Sequence, residues 1–430
     1  MKVIRTNSPQ FKSQLNKIVE RGRLSDETIW TTVKDIIDRV ASNGDKALFE
    51  YTEKFDGYEL STASVMLSEE EIQKAASQTA EKDTDALKLA AGRIERFHEK
   101  QTIESWSFSD ESGIQLGQRV LPLERVGIYA PGGTAAYPST VLMAAIPAKI
   151  AGVRDVILAT PTRGGTIHPL MATAVTICGI QSVYRIGGAQ AIAALAYGTE
   201  SVPRVDKIVG PGNAYVTTAK KMVYGQTAID MIAGPSEVII ISDGKTDPAF
   251  VAADMLAQAE HDALASAILL TPDESFAIKA AGEIDRRLEV LLRKAIAGKA
   301  LHDFGAIVVT KDLTEAVEIA DQLAPEHLEL MVENPQSILD RIKNAGAVLL
   351  GYHTPAVLGD YLAGPNHILP TGGSARFSSP LGVYDFVKRT SVISFSRDAL
   401  DKYSAPTVRL AELEGLGGHG ESVTARVSRK

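Results

Sequence analysis

The 430-residue sequence contains a single cysteine, Cys178, which excludes a framework of intrachain disulfide bonds. It has no run of about 18 apolar residues, so we expect no membrane-spanning helix. Residues 1–5 do not lead into the apolar core of a signal peptide. There is no long block of one charge sign, and the formal net charge of −8 argues against a nucleic-acid surface. These absences favour a cytoplasmic globular protein.

Hydrophobic residues make up 45% of the chain and charged residues 23%, which is typical of a globular protein with a large core. The length predicts about three domains. The first quarter has helical periodicity. There, Ser68 and Glu71 have the spacing of a capping box, which predicts the start of a long helical stretch that reaches about His98.

From Val126 onward, short apolar runs rich in β-branched residues alternate with Ala-rich helical stretches. Near-continuous apolar strands separated by helices are typical of parallel sheets that helices cover on both faces. Because the runs are too spread out for one sheet, we predict two α/β units. After Val126, the runs are residues 156–160, 207–209, 238–241, 268–270, 307–309 and 348–350.

Gln258 and His261 are the first candidate metal ligands. Asp247 and Pro248 predict a helix start. A helix from there to His261 places Gln258 and His261 three residues apart on one face, which suits two ligands to one ion. A C-terminal histidine that is stabilised by the helix dipole fits the same spacing.

Glu326 and His327 follow Pro325 and offer a proton acceptor beside a group that can activate water. An exposed charged dipeptide at a helix start is the simpler alternative. Asp360 lies in the Gly-rich segment 358–367, where it can ligate a metal or cap a turn. The residues alone leave both choices open.

Three Gly-rich loops, at residues 127–133, 187–190 and 210–215, follow strand-like runs and point to a crevice for a small ligand or cofactor. In the third loop, backbone N–H groups and the Asn213 amide can approach a phosphate or a ribose. The G-x-G-x-x-G at residues 415–420 is not a dinucleotide fingerprint, because only ten residues follow it. We expect a flexible tail that presents His419.

Several segments together resemble the histidinol dehydrogenase family, in its order and spacing, over about residues 20–425. The matching segments are residues 129–140, 187–199, 210–213, 233–237, 258–261, 324–327 and 414–419. The resemblance implies an α/β fold with two Rossmann-like parallel-sheet domains, a helical N-terminal segment and a C-terminal dimerisation tail. The expected parts are an N-terminal helical arm, a discontinuous zinc and substrate domain, a nucleotide-binding domain and a dimer-exchange tail, at residues 1–25, 26–127 plus 239–380, 128–238 and 381–430.

Members of this family oxidise L-histidinol through L-histidinal to L-histidine, the last steps of histidine biosynthesis, with two NAD and one zinc. The resemblance implies that His327 accepts the alcohol proton and Glu326 deprotonates the water that adds to the aldehyde. Zinc would orient the substrate. The other implied site residues are, for zinc, Gln258, His261, Asp360 and His419; for NAD, Tyr129, Gln190 and Asn213; and for substrate, Ser236, His327, His367 and Glu414 together with the zinc ligands.

The family's enzymes are homodimers with an exchanged C-terminal region, so the resemblance implies that Glu414 and His419 serve the partner's site. No covalent intermediate is needed, which agrees with the apolar surroundings of Cys178, typical of a buried, unreactive thiol. Three other functions are weighed: a related dehydrogenase for another small alcohol, a zinc hydrolase in which Glu326 activates water, and a non-catalytic binding protein.

Overall fold

The computed structural model of the chain describes residues 1, 3–21, 27–132, 136–162 and 164–427, without the side chains of residues 10 and 14. It divides into two compact units. Unit 1 comprises Met1–Gln101 and Glu124–Phe386, and unit 2 comprises Thr102–Leu123 and Val387–Lys430. No helix among the described residues has the length and apolar character needed to cross a membrane. The expected boundary between residues 25 and 26 lies outside the described residues.

The strands of the described residues are numbered in chain order. They are β1 (Val3–Arg5), β2 (Trp106–Ser109), β3 (Gln115–Pro122), β4 (Arg125–Tyr129), β5 (Asp155–Ala159), β6 (Ser182–Tyr184), β7 (Lys207–Val209), β8 (Ala228–Ile229), β9 (Glu237–Ser242), β10 (Ser266–Thr271), β11 (Ala306–Val309), β12 (His327–Met331), β13 (Ala347–Leu350) and β14 (Val387–Ser394).

The helices are numbered in the same way. They are α1 (Pro9–Glu20), α2 (Glu27–Asp56), α3 (Glu69–Ala76), α4 (Glu81–His98), α5 (Pro138–Ile150), α6 (Pro169–Cys178), α7 (Gly188–Tyr197), α8 (Ala214–Val223), α9 (Pro248–Ala259), α10 (Glu274–Leu288), α11 (Lys294–Phe304), α12 (Leu313–Leu323), α13 (Gln336–Leu339), α14 (Ala356–Tyr361), α15 (Arg397–Leu413) and α16 (Gly417–Val427). Short 3₁₀ helices lie at Glu99–Gln101, Ser374–Arg376 and Val383–Phe386.

Unit 1 contains two parallel sheets. The larger has the strand order β1-β11-β10-β9-β12-β13, and the smaller has the order β6-β5-β4-β7-β8. From an inner strand, β4 or β9, the chain fills one side of each sheet and then crosses to the other, and β1 completes the larger sheet at the edge beside β11. The adjacent pairs β9–β12 and β4–β7 mark these reversals, and His327 of β12 is in register with Val238 of β9.

The larger sheet is buried on both faces because its strands are apolar at nearly every position. Val238 and Ile240 face the cluster formed with α9 and α10, whereas Ile239 and Ile241 face the cluster formed with α12. Each fully buried Ile or Val contributes roughly 1.5–3 kcal/mol relative to exposure. The prediction of parallel sheets covered by helices is confirmed, and the six apolar runs after Val126 are all strands, but both sheets lie within unit 1.

The predicted helical stretch from Ser68 to His98 is interrupted. Its capping box forms as expected, with the Ser68 side chain accepting from the N–H of Glu71 and the Glu71 side chain accepting from the N–H of Ser68. The first helix, α3, ends at Ala76, and α4 begins at Glu81, after four intervening residues. The Ser77 hydroxyl donates to the Lys74 carbonyl at 2.8 Å, and local bonds of this kind compete with helix continuation.

Unit 2 contains an antiparallel sheet of order β14-β3-β2, in which β14 pairs with β3 along eight positions, and the helices α15 and α16. The expected flexible Gly-rich tail is instead helical: α16 begins at Gly417 and carries His419 in its first turn. Gly415 has φ +72°, a conformation that favours glycine, and it separates α15 from α16.

Candidate active site

Glu326 and His327 lie at the amino end of β12 and are only 7% and 5% exposed. Helix α12 ends in the left-handed residue Ala324, and Pro325 prevents its continuation, so the chain turns directly into the strand. The alternative of an exposed dipeptide at a helix start is therefore wrong. Burial of two titratable groups side by side marks this strand end as a candidate site.

The imidazole of His327 lies between three oxygen atoms. Its Nδ1 is 3.2 Å from the main-chain carbonyl of Glu237 and 3.7 Å from Glu326 Oε2, and its Nε2 is 3.3 Å from Asp360 Oδ1. Because a carbonyl only accepts hydrogen bonds, Nδ1 carries the proton in the neutral ring. Nε2 is therefore the nitrogen that gains and loses a proton, on the side of Asp360.

Glu237 holds the pair in place. Its N–H donates to Glu326 Oε2 at 2.8 Å, and its own carboxylate accepts from the N–H of Glu326 at 3.4 Å. The same carboxylate accepts from Arg21 Nη2 at 2.6 Å and from the N–H of Gly372 at 3.2 Å. The sequence analysis missed Glu237 and Arg21. A glutamate directly before the apolar run 238–241 is a usable signal, whereas nothing in the sequence marks Arg21.

The charges of the three groups depend on each other. Burial raises the pKa of Glu326 to about 7. Burial alone lowers the pKa of His327, but the carboxylates of Glu326 and Asp360 outweigh it and raise that pKa to about 9. Burial opposes ionisation of Asp360 too, yet contact with His327 leaves the pKa of Asp360 below its usual value. At neutral pH, His327 is thus protonated, Asp360 is ionised and Glu326 is near its midpoint.

Asp360 is the point at which three histidines meet. It lies on α14, and its carboxylate interacts electrostatically with His327, His367 and His261. His367 Nδ1 donates to the main-chain carbonyl of Asp360 at 2.8 Å, and its Nε2 lies 3.5 Å from the hydroxyl of Thr140 on α5. Burial lowers the pKa of His367, which keeps that ring neutral. The structure therefore brings Asp360, His327 and His367 into contact, and His261 lies close enough for its charge to act on Asp360.

Gln258 lies on α9, which begins as predicted: Asp247 caps the helix by accepting from the N–H of Ala249, and Pro248 is its first residue. The helix ends at Ala259, so the expectation that His261 shares a helix face with Gln258 is wrong. The N–H of Glu260 is shared between two carbonyls and closes the helix early. Gln258 is buried and His261 is exposed in the following turn, with its N–H 3.3 Å from the Gln258 carbonyl.

The described residues contain no group of three or more His, Cys, Asp and Glu side chains placed to hold a metal ion. The donor types still suit zinc, because an imidazole (His261), a carboxylate (Asp360) and an amide oxygen (Gln258) are N and O ligands of the kind zinc accepts. His419 and Glu414 belong to unit 2, and both are exposed.

Two of the Gly-rich loops lie at the carboxyl ends of β4 and β7, where the smaller sheet reverses its strand order, and the third follows β6. Tyr129 ends β4, and its hydroxyl accepts from the N–H of Gly188 at 3.2 Å. Burial raises the pKa of Tyr129 to about 12. Gly210 follows β7 with φ +114°, and a Cβ there would lie 2.0 Å from the Tyr129 carbonyl oxygen. Only glycine allows the two loops to approach so closely.

Two buried charges fix the Gly210 loop. The N–H of Gly210 donates to Asp230 Oδ2 at 2.7 Å, and the Gly210 carbonyl accepts from Lys220 Nζ at 2.8 Å. Lys220 and Asp230 also form an ion pair with each other, and both side chains are almost fully buried. Both backbone polar groups of one glycine are thus held by a single charge pair.

Gln190, on α7, is 1% exposed, and neither its amide nitrogen nor its amide oxygen has a hydrogen-bond partner among the described residues. Buried polar atoms are rarely left unpaired, so this amide is available to a bound ligand. Asn213 caps α8, with Oδ1 accepting from the N–H groups of Tyr215 and Val216 at 3.1 Å each. Ser236 directly precedes β9 and is half-buried.

A cavity of about 530 Å³ opens beside the carboxyl ends of β4 and β5, and Gly132, Thr160 and Pro161 contribute to its lining. Residues 133–135, which belong to the first Gly-rich loop, lie outside the described residues. Within unit 1, Thr140 follows this loop and contacts His367, which forms an acid–base cluster with Asp360 and His327. The cofactor-type loops and the acid–base cluster are therefore neighbours.

A sequence model of the family described as histidinol dehydrogenase matches residues 19–427. The histidinol dehydrogenases of Syntrophotalea carbinolica and Geobacter metallireducens are 52% and 51% identical to this chain, over 99% of it in both cases and over 99% and 98% of their own lengths. The crystal structure of histidinol dehydrogenase from Elizabethkingia anophelis superposes with a TM-score of 0.93 at 36% identity, covering 99% of this chain and 98% of that one. The chain therefore belongs to the histidinol dehydrogenase family, whose members are oxidoreductases.

Proposed function

We propose that this protein oxidises L-histidinol to L-histidine through L-histidinal, with NAD as the oxidant. The observation that carries the proposal is the buried Glu326–His327 pair, held between Glu237 and Asp360. It supplies two proton acceptors with different pKa values at one point, and the two oxidations require two different proton transfers.

In the first oxidation, neutral His327 accepts the hydroxyl proton of the alcohol at Nε2 while the carbinol carbon loses a hydride. The Glu237 carbonyl holds the ring in the tautomer that leaves Nε2 free to do this. Bound NAD is the hydride acceptor. Because only the neutral ring accepts a proton, the rate of this step rises with pH through the pKa of His327.

In the second oxidation, water adds to the aldehyde: Glu326 accepts a proton from that water, and protonated His327 gives its proton to the aldehyde oxygen and becomes neutral again. The hydrate then loses its hydride, and His327 again receives the hydroxyl proton. Glu326 suits this role because its pKa of about 7 makes it a substantial fraction ionised at neutral pH and a better base than an ordinary carboxylate. Each alcohol therefore reduces two cofactor molecules.

We assign Gln258, His261, Asp360 and His419 as the ligands of one zinc ion. The electrostatic coupling of Asp360 with His261 and the donor types support this assignment. When bound, zinc supplies an orienting template for the imidazole and amino nitrogens of the substrate. Substrate contacts are assigned to Ser236, His327, His367 and Glu414 together with the zinc ligands.

We assign Tyr129, Gln190 and Asn213 to NAD. The unpaired amide of Gln190 supports this assignment, as does the close approach of the Tyr129 and Gly210 loops. The order β6-β5-β4-β7-β8 corresponds to the first five strands of the Rossmann order 3-2-1-4-5-6, in which dinucleotides bind where the order reverses. We therefore place the nucleotide-binding domain at residues 128–238 and the zinc and substrate domain at 26–127 plus 239–380.

We further propose a homodimer in which residues 381–430 are exchanged, so that Glu414 and His419 of each subunit complete the site of the other. The exposure of both residues supports this idea. Unit 2 also leaves large apolar side chains exposed, as expected of a surface that a partner covers. Examples are Trp106, Phe108, Ile393, Leu410 and Leu413.

The test is to incubate the zinc-loaded protein with L-histidinol and NAD and count cofactor reduced per alcohol consumed, with and without a chelator. The expected result is two reduced cofactors per alcohol and loss of turnover on chelation. Negligible turnover of histidinol beside turnover of another small alcohol would contradict the assigned substrate. Hydrolytic activity without NAD would favour the zinc hydrolase instead.

A further inference from the structure

A second buried carboxylate, Glu329, lies on β12 two residues after His327. Side chains alternate between the faces of a strand, so His327 and Glu329 lie on the same face. Glu329 is 1% exposed and is flanked by Leu328 and Leu330. A carboxylate in the middle of an apolar strand is costly to bury, so Glu329 needs partners that offset this cost.

The first partner is the helix that carries Asp360. Glu329 Oε1 accepts from the N–H of Ala356, the first residue of α14, at 2.8 Å. The first N–H groups of a helix have no partners within it, so this bond ties the start of α14 to β12. Asp360 lies one helical turn later and contacts His327 Nε2 at 3.3 Å. Glu329 thus ties β12, which carries His327, to α14, which carries Asp360.

The second partner is the helix that carries Gln258. The other oxygen, Glu329 Oε2, has no hydrogen-bond donor among the described residues, and the Glu329 side chain interacts with the carboxyl group of Asp254 on α9. Two carboxylates share a hydrogen bond only when one holds a proton. Burial raises the pKa of Asp254 to about 6, and burial and Asp254 together raise the pKa of Glu329 well above its usual value. One proton shared by the pair therefore satisfies Oε2.

Asp254 lies four residues before Gln258 on α9, so the two side chains share a face of that helix. We propose that Glu329 and Asp254 form a positioning pair that fixes Asp360 and Gln258 relative to His327. The proposal rests on the proposed function of those three residues. The pair touches none of the reacting atoms. It acts through the backbone of α14 and through α9.

Three variants separate positioning from mere stability. Glu329→Leu removes both bonds. Glu329→Gln keeps them, because the amide oxygen accepts from Ala356 and the amide nitrogen donates to ionised Asp254. Leu330→Ala is the matched control, because Leu330 is buried on the opposite face of the same strand and contributes to the core beside α12. It lowers stability without touching the pair.

The first measurement is amide hydrogen exchange over α14 in the full-length, metal-free protein, which does not depend on any substrate. We expect Glu329→Leu to speed exchange of the Ala356–Tyr361 amides about 10-fold or more, because the tie that resists local opening is lost. Glu329→Gln and Leu330→Ala should exchange as the unmodified protein does over this helix. Unchanged exchange in Glu329→Leu would overturn the proposal, whatever alcohol the enzyme oxidises.

The second measurement is steady-state kinetics of the zinc-loaded variants. A displacement of about 1 Å at a reacting group costs on the order of 10²-fold, so kcat for histidinol should fall by about that factor in Glu329→Leu while KM for NAD changes little. Glu329→Gln should recover most of the loss. If Glu329→Gln is as slow as Glu329→Leu, or if Leu330→Ala loses as much kcat, the positioning role is refuted. Altered exchange in a protein that does not oxidise histidinol would refute the proposed function alone.

Discussion

Replacement of Glu326 by glutamine separates the two oxidations. The glutamine keeps the shape of the side chain and an oxygen that accepts from the Glu237 N–H, a bond of 2.8 Å in the structure. It removes the negative charge whose oxygen lies 3.7 Å from His327 Nδ1. It also removes the proton acceptor that we assign to water activation. The geometry is thus preserved while two chemical properties are lost.

The expected change in the pKa of His327 follows from the distance between its Nδ1 and Glu326 Oε2. Two unit charges about 4 Å apart interact by about 4 kcal/mol at an effective dielectric constant of ~20. Glu326, with a pKa of about 7, is about half ionised at neutral pH, which leaves about 2 kcal/mol. That amount corresponds to a fall of about 1.5 in the pKa of His327 from its value of about 9.

The expected change in the rate of oxidation differs between histidinol and histidinal. A lower pKa leaves more of His327 neutral at pH 7, so Glu326→Gln should shift the pH dependence of histidinol oxidation to lower pH by about 1.5 and preserve the first hydride transfer. Oxidation of supplied histidinal should fall by about 10²-fold above pH 7, the usual cost of losing a general base, and by less below it, where Glu326 of the unmodified protein is mostly protonated.

The assay follows reduced nicotinamide in single turnovers with histidinol and with histidinal between about pH 6 and 10, a range that brackets both pKa values. Glu318→Gln, a change of the same kind on the exposed side of α12, is the control and should match the unmodified protein. An equal loss on both substrates would refute the division of roles. An unshifted pH dependence would refute the coupling between Glu326 and His327.

The remaining predictions concern the metal, the cofactor loop and the cysteine. After dialysis, the His261→Ala and His419→Ala variants should retain less than about a tenth of the zinc, because each has lost one ligand. The control is His302→Ala, which changes an exposed histidine and should retain the zinc. Full retention in the first two variants would exclude His261 and His419 as ligands. Lys220→Met removes the ion-pair partner of Asp230 beside Gly210, so the melting temperature should fall. KM for NAD should rise about 10-fold while KM for histidinol changes little. Equal changes in both KM values would contradict a role confined to the cofactor loop. Cys178→Ala should keep kcat within about twofold, because burial raises the pKa of this thiol to about 12 and leaves it unreactive, and a large loss of kcat would contradict this assignment.

The parallel sheets were predictable from sequence because their strands are buried on both faces and are therefore apolar at successive positions. The same signal fails where a strand carries polar groups. β12 begins with His327 and includes Glu329, so it has no continuous apolar run, and a helix start at Glu326 and His327 stayed open as an alternative. The antiparallel sheet of unit 2 was missed too: β2 is only four residues long and β14 is mostly polar, so neither has the continuous apolar run that marks the buried parallel strands.

Within the site, the sequence identified the residues that carry chemistry but not those that hold them. Asp360 and His327 were recognised through the family resemblance, and their 3.3 Å contact could not be derived from spacing. Arg21 and Glu237 are 216 residues apart and form a buried ion pair, which only the tertiary fold determines. Charged residues beside or inside an apolar run, Glu237 and Glu329, are signals that were present in the sequence and not used.

The two sheets of unit 1 present their candidate residues at opposite strand ends, and this difference has a chemical cause. Two of the Gly-rich loops lie at the carboxyl ends of β4 and β7, where a small ligand meets backbone and a helix start. Glu326 and His327 lie at the amino end of β12, where the neighbouring strand offers one N–H, from Glu237, to the carboxylate. A carboxylate that accepts several N–H groups at a helix start would have a low pKa and would be a weak base. One N–H in a buried setting leaves the pKa of Glu326 at about 7, so the position at a strand end makes this carboxylate a useful base at neutral pH.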